Sequence, residues 1–331
     1  MKEVVFSGVQ PTGDLHIGNY FGAVKRFVAL QEEADCYFCV VDLHSLTVKH
    51  SPEQLKKHTL EIAAAYLASG IDPNKASIFA QSTVASHTEL SWIMSCIARM
   101  GWMERMHQFK DKTGDNKERA SVGLFTYPIL MAADILAYGT TVVPVGEDQK
   151  QHIELAKDIA QKFNNDFGGG LIVPRALMGE TAKIMSLKKA DQKMSKSDPD
   201  PSSRINLSDS NDTIIKKIKR ATSDTLPFPE SLEGFEHPEV RNLISIYRAC
   251  TDASTESIEQ EFGGKGYGVF KGRLGEALVE EISPVRERMY HFLEDHDGLL
   301  SILRKGRDQA SQQTQSVKKT VYDAMGLIDL G

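Results

Sequence analysis

Lys193 and Lys196 stand three apart in Gln192-Lys193-Met194-Ser195-Lys196-Ser197-Asp198-Pro199, interleaved with the hydroxyls of Ser195 and Ser197. Pro199 disfavours helix at Asp198, so the stretch predicts a loop carrying two ammonium groups. Ammonium groups on flexible stems suit phosphate oxygens. A loop of this kind can close over a polyphosphate and meet the charge that builds on a leaving pyrophosphate. A solvated basic turn has the same composition, so the chemistry needs a second component. One stands near the start: Val4-Val5-Phe6-Ser7-Gly8 predicts a strand, Gln10-Pro11-Thr12-Gly13-Asp14-Leu15 a turn, and His16-Ile17-Gly18-Asn19-Tyr20 a helix start. Strand, glycine-containing turn and helix N-terminus together offer N–H groups and a positive dipole end to phosphate. Gly18 leaves the helix backbone open to a nucleotide, while His16 and Asn19 offer donors one turn apart. Neither G-x-x-x-x-G-K-[ST] nor G-x-G-x-x-G after a strand occurs; Gly264-Lys265-Gly266-Tyr267-Gly268 follows polar helical sequence and predicts a turn.

A third chemical element is Asp134, in the nearly apolar run Leu130-Met131-Ala132-Ala133-Asp134-Ile135-Leu136. An unpaired carboxylate there is costly, so it is either a structural acceptor or a recognition group. Glu147 and Asp148 follow Gly146 where a strand gives way to a helix; dipole compensation accounts for two acids there, and so does bonding to ribose hydroxyls. The polar break from Lys110 to Arg119 predicts a mobile surface loop, either a connector or a lid. Cys36 and Cys39 have metal-ligand spacing, but they fall in an apolar strand whose residues three apart face opposite sides. No second cysteine pair has such spacing, so structural thiols in a reducing compartment are expected, with no metal ligands assigned.

The elements that must position these groups follow from periodicity. Strands are predicted over 3–8, 36–42, 77–81 and 140–145, and helices over 17–33, 52–69, 87–100, 103–111, 122–137 and 147–163. Ser51 is a natural cap, with Pro52 in the first turn. This β/α alternation implies an α/β, Rossmann-like, doubly wound parallel sheet with ligands at the strands' carboxyl ends. Prolines at 199, 201, 227 and 229 mark a transition, after which helices are predicted over 211–221, 238–250, 254–261, 267–293 and 297–325. The second, all-helical domain therefore occupies 199–331 and the first 1–198, with the last helix free to pack back on the first domain. At 331 residues, 41% hydrophobic and 25% charged, the chain has an ordinary globular composition. No apolar stretch long enough to span a membrane escapes interruption, and no signal segment opens the chain, so a cytoplasmic location is expected. The net charge of −6 argues against an extensive nucleic-acid-gripping surface. Positive charge is instead clustered at 216–220, 304–307 and 318–319, as solvated helix faces or as contact patches.

His16-Ile17-Gly18-Asn19 and Lys193-Met194-Ser195-Lys196-Ser197 resemble the two signatures of class I aminoacyl-tRNA synthetases. Met131-Ala132-Ala133-Asp134-Ile135-Leu136, Pro144-Val145-Gly146-Glu147-Asp148-Gln149-Lys150-Gln151-His152 and Ile184-Met185-Ser186-Leu187 narrow the resemblance to the bacterial-type tryptophanyl-tRNA synthetases. The likeness runs from Phe6 to beyond Arg220 and more thinly to the end. It implies activation of L-tryptophan by ATP with Mg²⁺, then transfer to tRNA(Trp), class I resemblance pointing to the 2′-hydroxyl. It also implies a homodimer and anticodon recognition by the helical domain. By the same resemblance His16, Asn19, Lys112, Lys193 and Lys196 serve the phosphates. Gln10, Pro11, Thr12, Gly18, Gly146, Glu147, Asp148, Ile184, Met194, Ser195 and Ser197 line ATP. Asp134 accepts the indole N–H, a donor-only group, and a site built around that donor rejects side chains lacking it. Phe6, Met131, Val143 and Val145 wall the pocket, with His44 a neighbour and Tyr127 and Gln149 placed for the ammonium group. Two departures stand out: Asn19 replaces the second histidine of many class I enzymes, and Leu43 stands where a polar neighbour of His44 is expected. Remaining alternatives are a tyrosyl-tRNA synthetase, a small-molecule nucleotidyltransferase and a catalytically silent tryptophan- or RNA-binding paralogue.

Overall fold

In the computed structural model, which describes residues 2–106, 120–178 and 183–329, five strands form one parallel sheet. They are β1 (Glu3–Val9), β2 (Ala34–Val40), β3 (Ala76–Ala80), β4 (Val142–Pro144) and β5 (Arg175–Leu177), in the order β3-β2-β1-β4-β5. The order reverses between β1 and β4, so the crevice for ligands opens at their carboxyl ends. Gln10 follows β1 and Gly146 follows β4, which puts both predicted nucleotide stretches at that crevice. β3 and β4 are buried throughout and β2 for the most part, as strands covered on both faces are. Cys36 and Cys39, both buried free thiols, go to different sides: Cys36 joins the core that continues into the helical part, and Cys39 joins the one beneath Phe6 and Phe79.

Local chemistry sets the element ends. The Ser51 hydroxyl accepts the Gln54 N–H at 3.4 Å and Pro52 opens the helix Pro52–Ala68, which Gly70, at φ +108°, terminates. Ser121 and Ser210 cap Val122–Leu136 and Asn211–Arg220 in the same way. Two expectations are corrected. The helix predicted over 17–33 is α-helical only at Ile17–Asn19 and Lys25–Leu30; between them Tyr20–Val24 is a π turn, with Tyr20, Phe21 and Val24 buried. A π turn widens one helical turn and favours functional sites; residue periodicity alone does not signal it. The strand β5 was not predicted, because it is three residues long and follows Gly168-Gly169-Gly170, all at positive φ.

Beyond residue 209 the described chain is helical: Asn211–Arg220, Pro238–Thr251, Thr255–Phe262, Tyr267–Glu294 and His296–Met325. Phe228, Phe262, Phe270 and Tyr247 pack edge-on and tilted at 4.9–5.7 Å, and this aromatic cluster is continuous with the core on one face of the sheet. Gly264 and its neighbours form the turn before Tyr267–Glu294, with Phe228 donating its N–H to the Lys265 carbonyl and accepting from the Gly264 N–H.

The last helix lies along the sheet's edge strand. Ser77 Oγ donates to Gln309 Oε1 at 3.1 Å, Lys305 Nζ to Asn74 Oδ1 at 2.7 Å, and Gln313 Nε2 to the Tyr138 carbonyl at 2.9 Å. The approach is closest at Gly306, where a β-carbon would meet the Ile78 carbonyl oxygen at 1.9 Å. Neither backbone can yield cheaply, so Gly306→Ala is expected to cost about 1–3 kcal/mol of stability, the range for overpacking. Thermal unfolding checks this, with Gly272→Ala, a helical glycine with open space around it, as the control expected to gain about 0.5–1 kcal/mol.

Candidate active site

The first signature opens a helix at the end of the β1 loop. His16 is the N-cap, and its backbone N–H meets Asn19 Oδ1 at 3.3 Å in a capping box. The imidazole is 4% exposed. Burial first, then the charges of Lys196, Arg204 and Lys193, lowers its pKa to about 3. His16 is therefore a neutral ring at working pH, and its buried Nδ1 has no protein hydrogen-bond partner among the described residues. Gly18 serves this ring. A β-carbon at Gly18 would meet His16 Cε1 and Nδ1 at 2.9 Å, so glycine leaves the room in which the His16 ring sits against the helix.

The second signature comes to the first. Lys196, half-buried, donates to the carbonyls of Gln10 at 3.3 Å and Gly13 at 3.1 Å. Burial lowers its pKa to about 8, with Asp14 opposing. Lys193, exposed, stands 3.5 Å from Asp148 Oδ1, and Gln149 Nε2 donates to Asp148 Oδ2 at 2.9 Å. Gly146 lies between β4 and the turn Glu147–Gln149. Ser195 and Ser197 hydroxyls bond each other at 2.9 Å. Met194 is buried and donates its N–H to the Ile184 carbonyl at 3.1 Å, while Ser186 N–H reaches the Gln192 carbonyl at 2.8 Å. Ile184 and its neighbours thus form the paired strip on which the lysine loop rests. Buried Asn242 clamps that strip, accepting the Met185 N–H at 2.8 Å and donating to the Met185 carbonyl at 3.0 Å. Pro11 and Thr12 lie in the turn that Lys196 spans. Lys112 lies outside the described residues.

The other half of the crevice is built around Asp134, 1% exposed. Its Oδ2 lies 2.8 Å from His44 Nε2 and its Oδ1 2.7 Å from His87 Nδ1, and Gln81 Nε2 donates to both oxygens at 2.8 Å. Burial pushes the carboxyl up, but the His87 charge and the bonds from His44 and His87 outweigh it and hold the pKa at about 2. Both oxygens of a fully ionised carboxylate are thus fixed in direction. His87 Nε2 in turn meets Tyr138 OH at 2.9 Å, and Phe6 stacks on Tyr138 at 5.2 Å. Phe6 and Val143 are buried in one apolar cluster, with Met131 and Val145 packed against it. Tyr127 stands edge-on to His44 at 6.0 Å, and burial raises its hydroxyl to about 12. Gln149, expected near the substrate's ammonium group, here bonds Asp148.

A model of the tRNA synthetases of class I (W and Y) matches residues 2–282. The chain belongs to the class I tRNA synthetases. A tryptophan--tRNA ligase of Mesorhizobium japonicum is 49% identical to it, covering 99% of this chain and 98% of the relative. The solved tryptophanyl-tRNA synthetase of Mycoplasma pneumoniae is 31% identical, with a TM-score of 0.91 and 99% of each chain covered. That of Campylobacter jejuni, complexed with ADP and tryptophan, is 38% identical, with a TM-score of 0.82 over 98% of this chain and all of that one.

In this class I synthetase, sequence reasoning missed three parts of the crevice. Gln81 immediately follows β3 and also accepts the Leu43 N–H at 3.1 Å; its position at a strand end was the available signal. Leu43, where a polar side chain was expected, thus contributes its backbone. His87 and Asn242 sit on helices, far in sequence from what they hold, and nothing local marks them.

Proposed function

We propose that the chain activates L-tryptophan with ATP to tryptophanyl-adenylate and transfers it to the 3′ end of tRNA(Trp). The observation that carries this reading is the meeting of the two signatures, with Lys196 spanning the turn that leads into buried, neutral His16. The tryptophan carboxylate attacks the α-phosphorus in line, and pyrophosphate leaves. Lys193 and Lys196 meet the growing charge on the leaving phosphates. His16 and Asn19 hold the triphosphate from below, and Lys112 is assigned to it by resemblance. Gln10, Pro11, Thr12, Gly146, Glu147, Asp148 and the 184–186 strip border the nucleotide. The indole N–H is assigned to Asp134, whose oxygens each already take two contacts, Gln81 bonding both, so the substrate's donor takes over a site that Gln81 shares between the two oxygens. Phe6, Met131, Val143 and Val145 supply the apolar surround.

Mg²⁺ accompanies ATP in this reading. The groups assigned to the phosphates, His16, Asn19, Lys193 and Lys196, are cationic or neutral; of the acids nearby, Asp148 faces Lys193 and the Asp14 charge acts on Lys196. That set suits an ion carried on the nucleotide's own oxygens. When bound, it spreads the negative charge of the departing pyrophosphate.

The reading extends to the whole molecule. Residues 1–198 form the catalytic part and 199–331 read the anticodon. By the same resemblance the protein acts in the cytoplasm. No described helix is long and apolar enough to cross a membrane. It works as a homodimer, for which Trp92, Met100 and Val122, 73%, 64% and 78% exposed, supply apolar surface; a monomer in sedimentation equilibrium removes that part.

Pyrophosphate exchange into ATP, with the twenty amino acids supplied singly, tests the reading. Exchange with tryptophan alone is expected; exchange with tyrosine alone overturns the assignment of Asp134, and exchange with none favours a silent paralogue. The rate should also depend on pH in a defined direction. Lys196 is charged below its pKa of about 8, so kcat/KM is expected to fall as pH rises through about 8. Arginine stays charged, so Lys196→Arg should move that limb to higher pH whatever its effect on the plateau. His16, already neutral above a pKa of about 3, should add no limb between pH 5 and 8.

A further inference from the structure

Asp14, His58 and Glu61 converge beside the turn that leads into His16, and none of the three is assigned a direct part in the reaction. His58 and Glu61 are three apart on the helix Pro52–Ala68 and so share a face. Asp14 comes from the turn before His16. Each offers one ligand atom, and these atoms lie within 4.8 Å of one another. Ligand atoms about 2.0–2.2 Å from one zinc ion stand roughly 3.3 Å apart in a tetrahedron, so closure takes a side-chain adjustment of about 1.5 Å at most.

A second observation is independent of that spacing. Glu61 Oε2 is shielded from solvent and has no hydrogen-bond partner among the described residues, although a buried carboxylate oxygen is costly without one. The other oxygen has only Lys57 Nζ, at 3.6 Å. Burial raises the Glu61 carboxyl above its ordinary range, and the Asp14 charge adds to this against Lys57 and His58. Two carboxylates therefore approach each other here, with Lys57 Nζ 3.6 Å from one Glu61 oxygen and the other oxygen unpartnered among the described residues. Asp14 is also oriented from behind, its Oδ2 accepting from Ser208 Oγ at 2.9 Å and Asn206 Nδ2 at 3.5 Å. Outer bonds of that kind fix ligand carboxylates in metal sites.

We propose that Asp14, His58 and Glu61 bind one divalent transition-type cation, with water completing the coordination. Two carboxylates balance its charge, and the imidazole favours zinc or cobalt over magnesium, calcium or manganese. The ion ties the turn Gln10–Leu15, and through Asp14 the segment at Asn206 and Ser208, to the helix Pro52–Ala68. Long-range contact explains why no local motif marks the site.

Zinc alone, added to the full chain after chelator treatment, tests this by equilibrium dialysis and thermal melting. The native chain is expected to retain one equivalent and to melt at higher temperature with zinc, since an ion that binds only the folded state stabilises it. His58→Ala, and separately Asp14→Asn with Glu61→Gln, should each lose at least tenfold in affinity and the melting shift, while circular dichroism shows them folded. Equal binding in native and variant chains overturns the proposal, as does no binding in the native chain. Cobalt(II) spectra add an independent readout: a thiolate charge-transfer band would place the metal on a cysteine and also overturn it.

Discussion

Lys196→Ala is expected to lower kcat for tryptophan-dependent pyrophosphate exchange by about 100- to 1000-fold, the loss found when one preorganised donor to developing charge is removed. The Lys196 ammonium is half-buried and aimed at the turn between β1 and His16 by two carbonyls. Those carbonyls can turn to water once the side chain is gone, so stability should change little. The separation of rate from stability is the informative part. An unchanged melting temperature with full exchange would remove Lys196 from the chemistry. Tryptophan KM should stay near its native value, because Asp134 and its surround are built by other elements.

Asp134→Asn should show the opposite division. The amide keeps the volume but can no longer accept from His44, His87 and Gln81 together, since one of its two ends now donates. Hydrogen bonds to a charged acceptor contribute about 1.5–3 kcal/mol each. A loss of about 10- to 100-fold in kcat/KM is expected, appearing mainly in tryptophan KM and not in ATP KM. The protein should also lose stability, with a pH dependence whose sign is fixed. The folded-state pKa of Asp134, about 2, lies below the usual carboxylate value near 4. Its stabilising contribution is therefore complete above about pH 5 and is lost as pH falls through about 2. Urea unfolding at pH 7 and at pH 3 should show the gap between native and Asp134→Asn narrowing in acid. A gap that widens in acid contradicts the role assigned to this carboxylate.

Much of this architecture is legible in residue order because local signals and burial agree. The strand before Gln10, the Ser51 cap, the Asp134 helix and the lysine loop all carry their own pattern: apolar runs, capping hydroxyls, a proline stop. What escapes is made by contacts across the chain. Gly18 reads as backbone left open for a ligand, and the fold adds a second demand, room for the ring of His16. His87 reads as one more residue at a helix start, yet it is a buried donor to Asp134. Asn242 lies in an unremarkable amphipathic helix and holds the strip under the second signature. Each owes its role to a partner more than forty positions away or to a ring orientation, and neither leaves a periodicity to read. β5 escapes for a different reason, its three residues being too few to show alternation.

The helix His296–Met325, laid along β3, sets a condition on how the protein is made. β3 is an edge of the sheet, and edge strands exposed to other chains invite pairing. The helix that covers it is encoded more than two hundred residues later. At synthesis rates of about 5–20 residues per second, roughly 10–40 s pass between the two leaving the ribosome. During that interval the sheet can form while Ile78 and its neighbours stay uncovered. A chain halted before residue 296 is left with that edge permanently open, so a ribosome that stalls late should yield a sticky product even though both signature stretches are already complete.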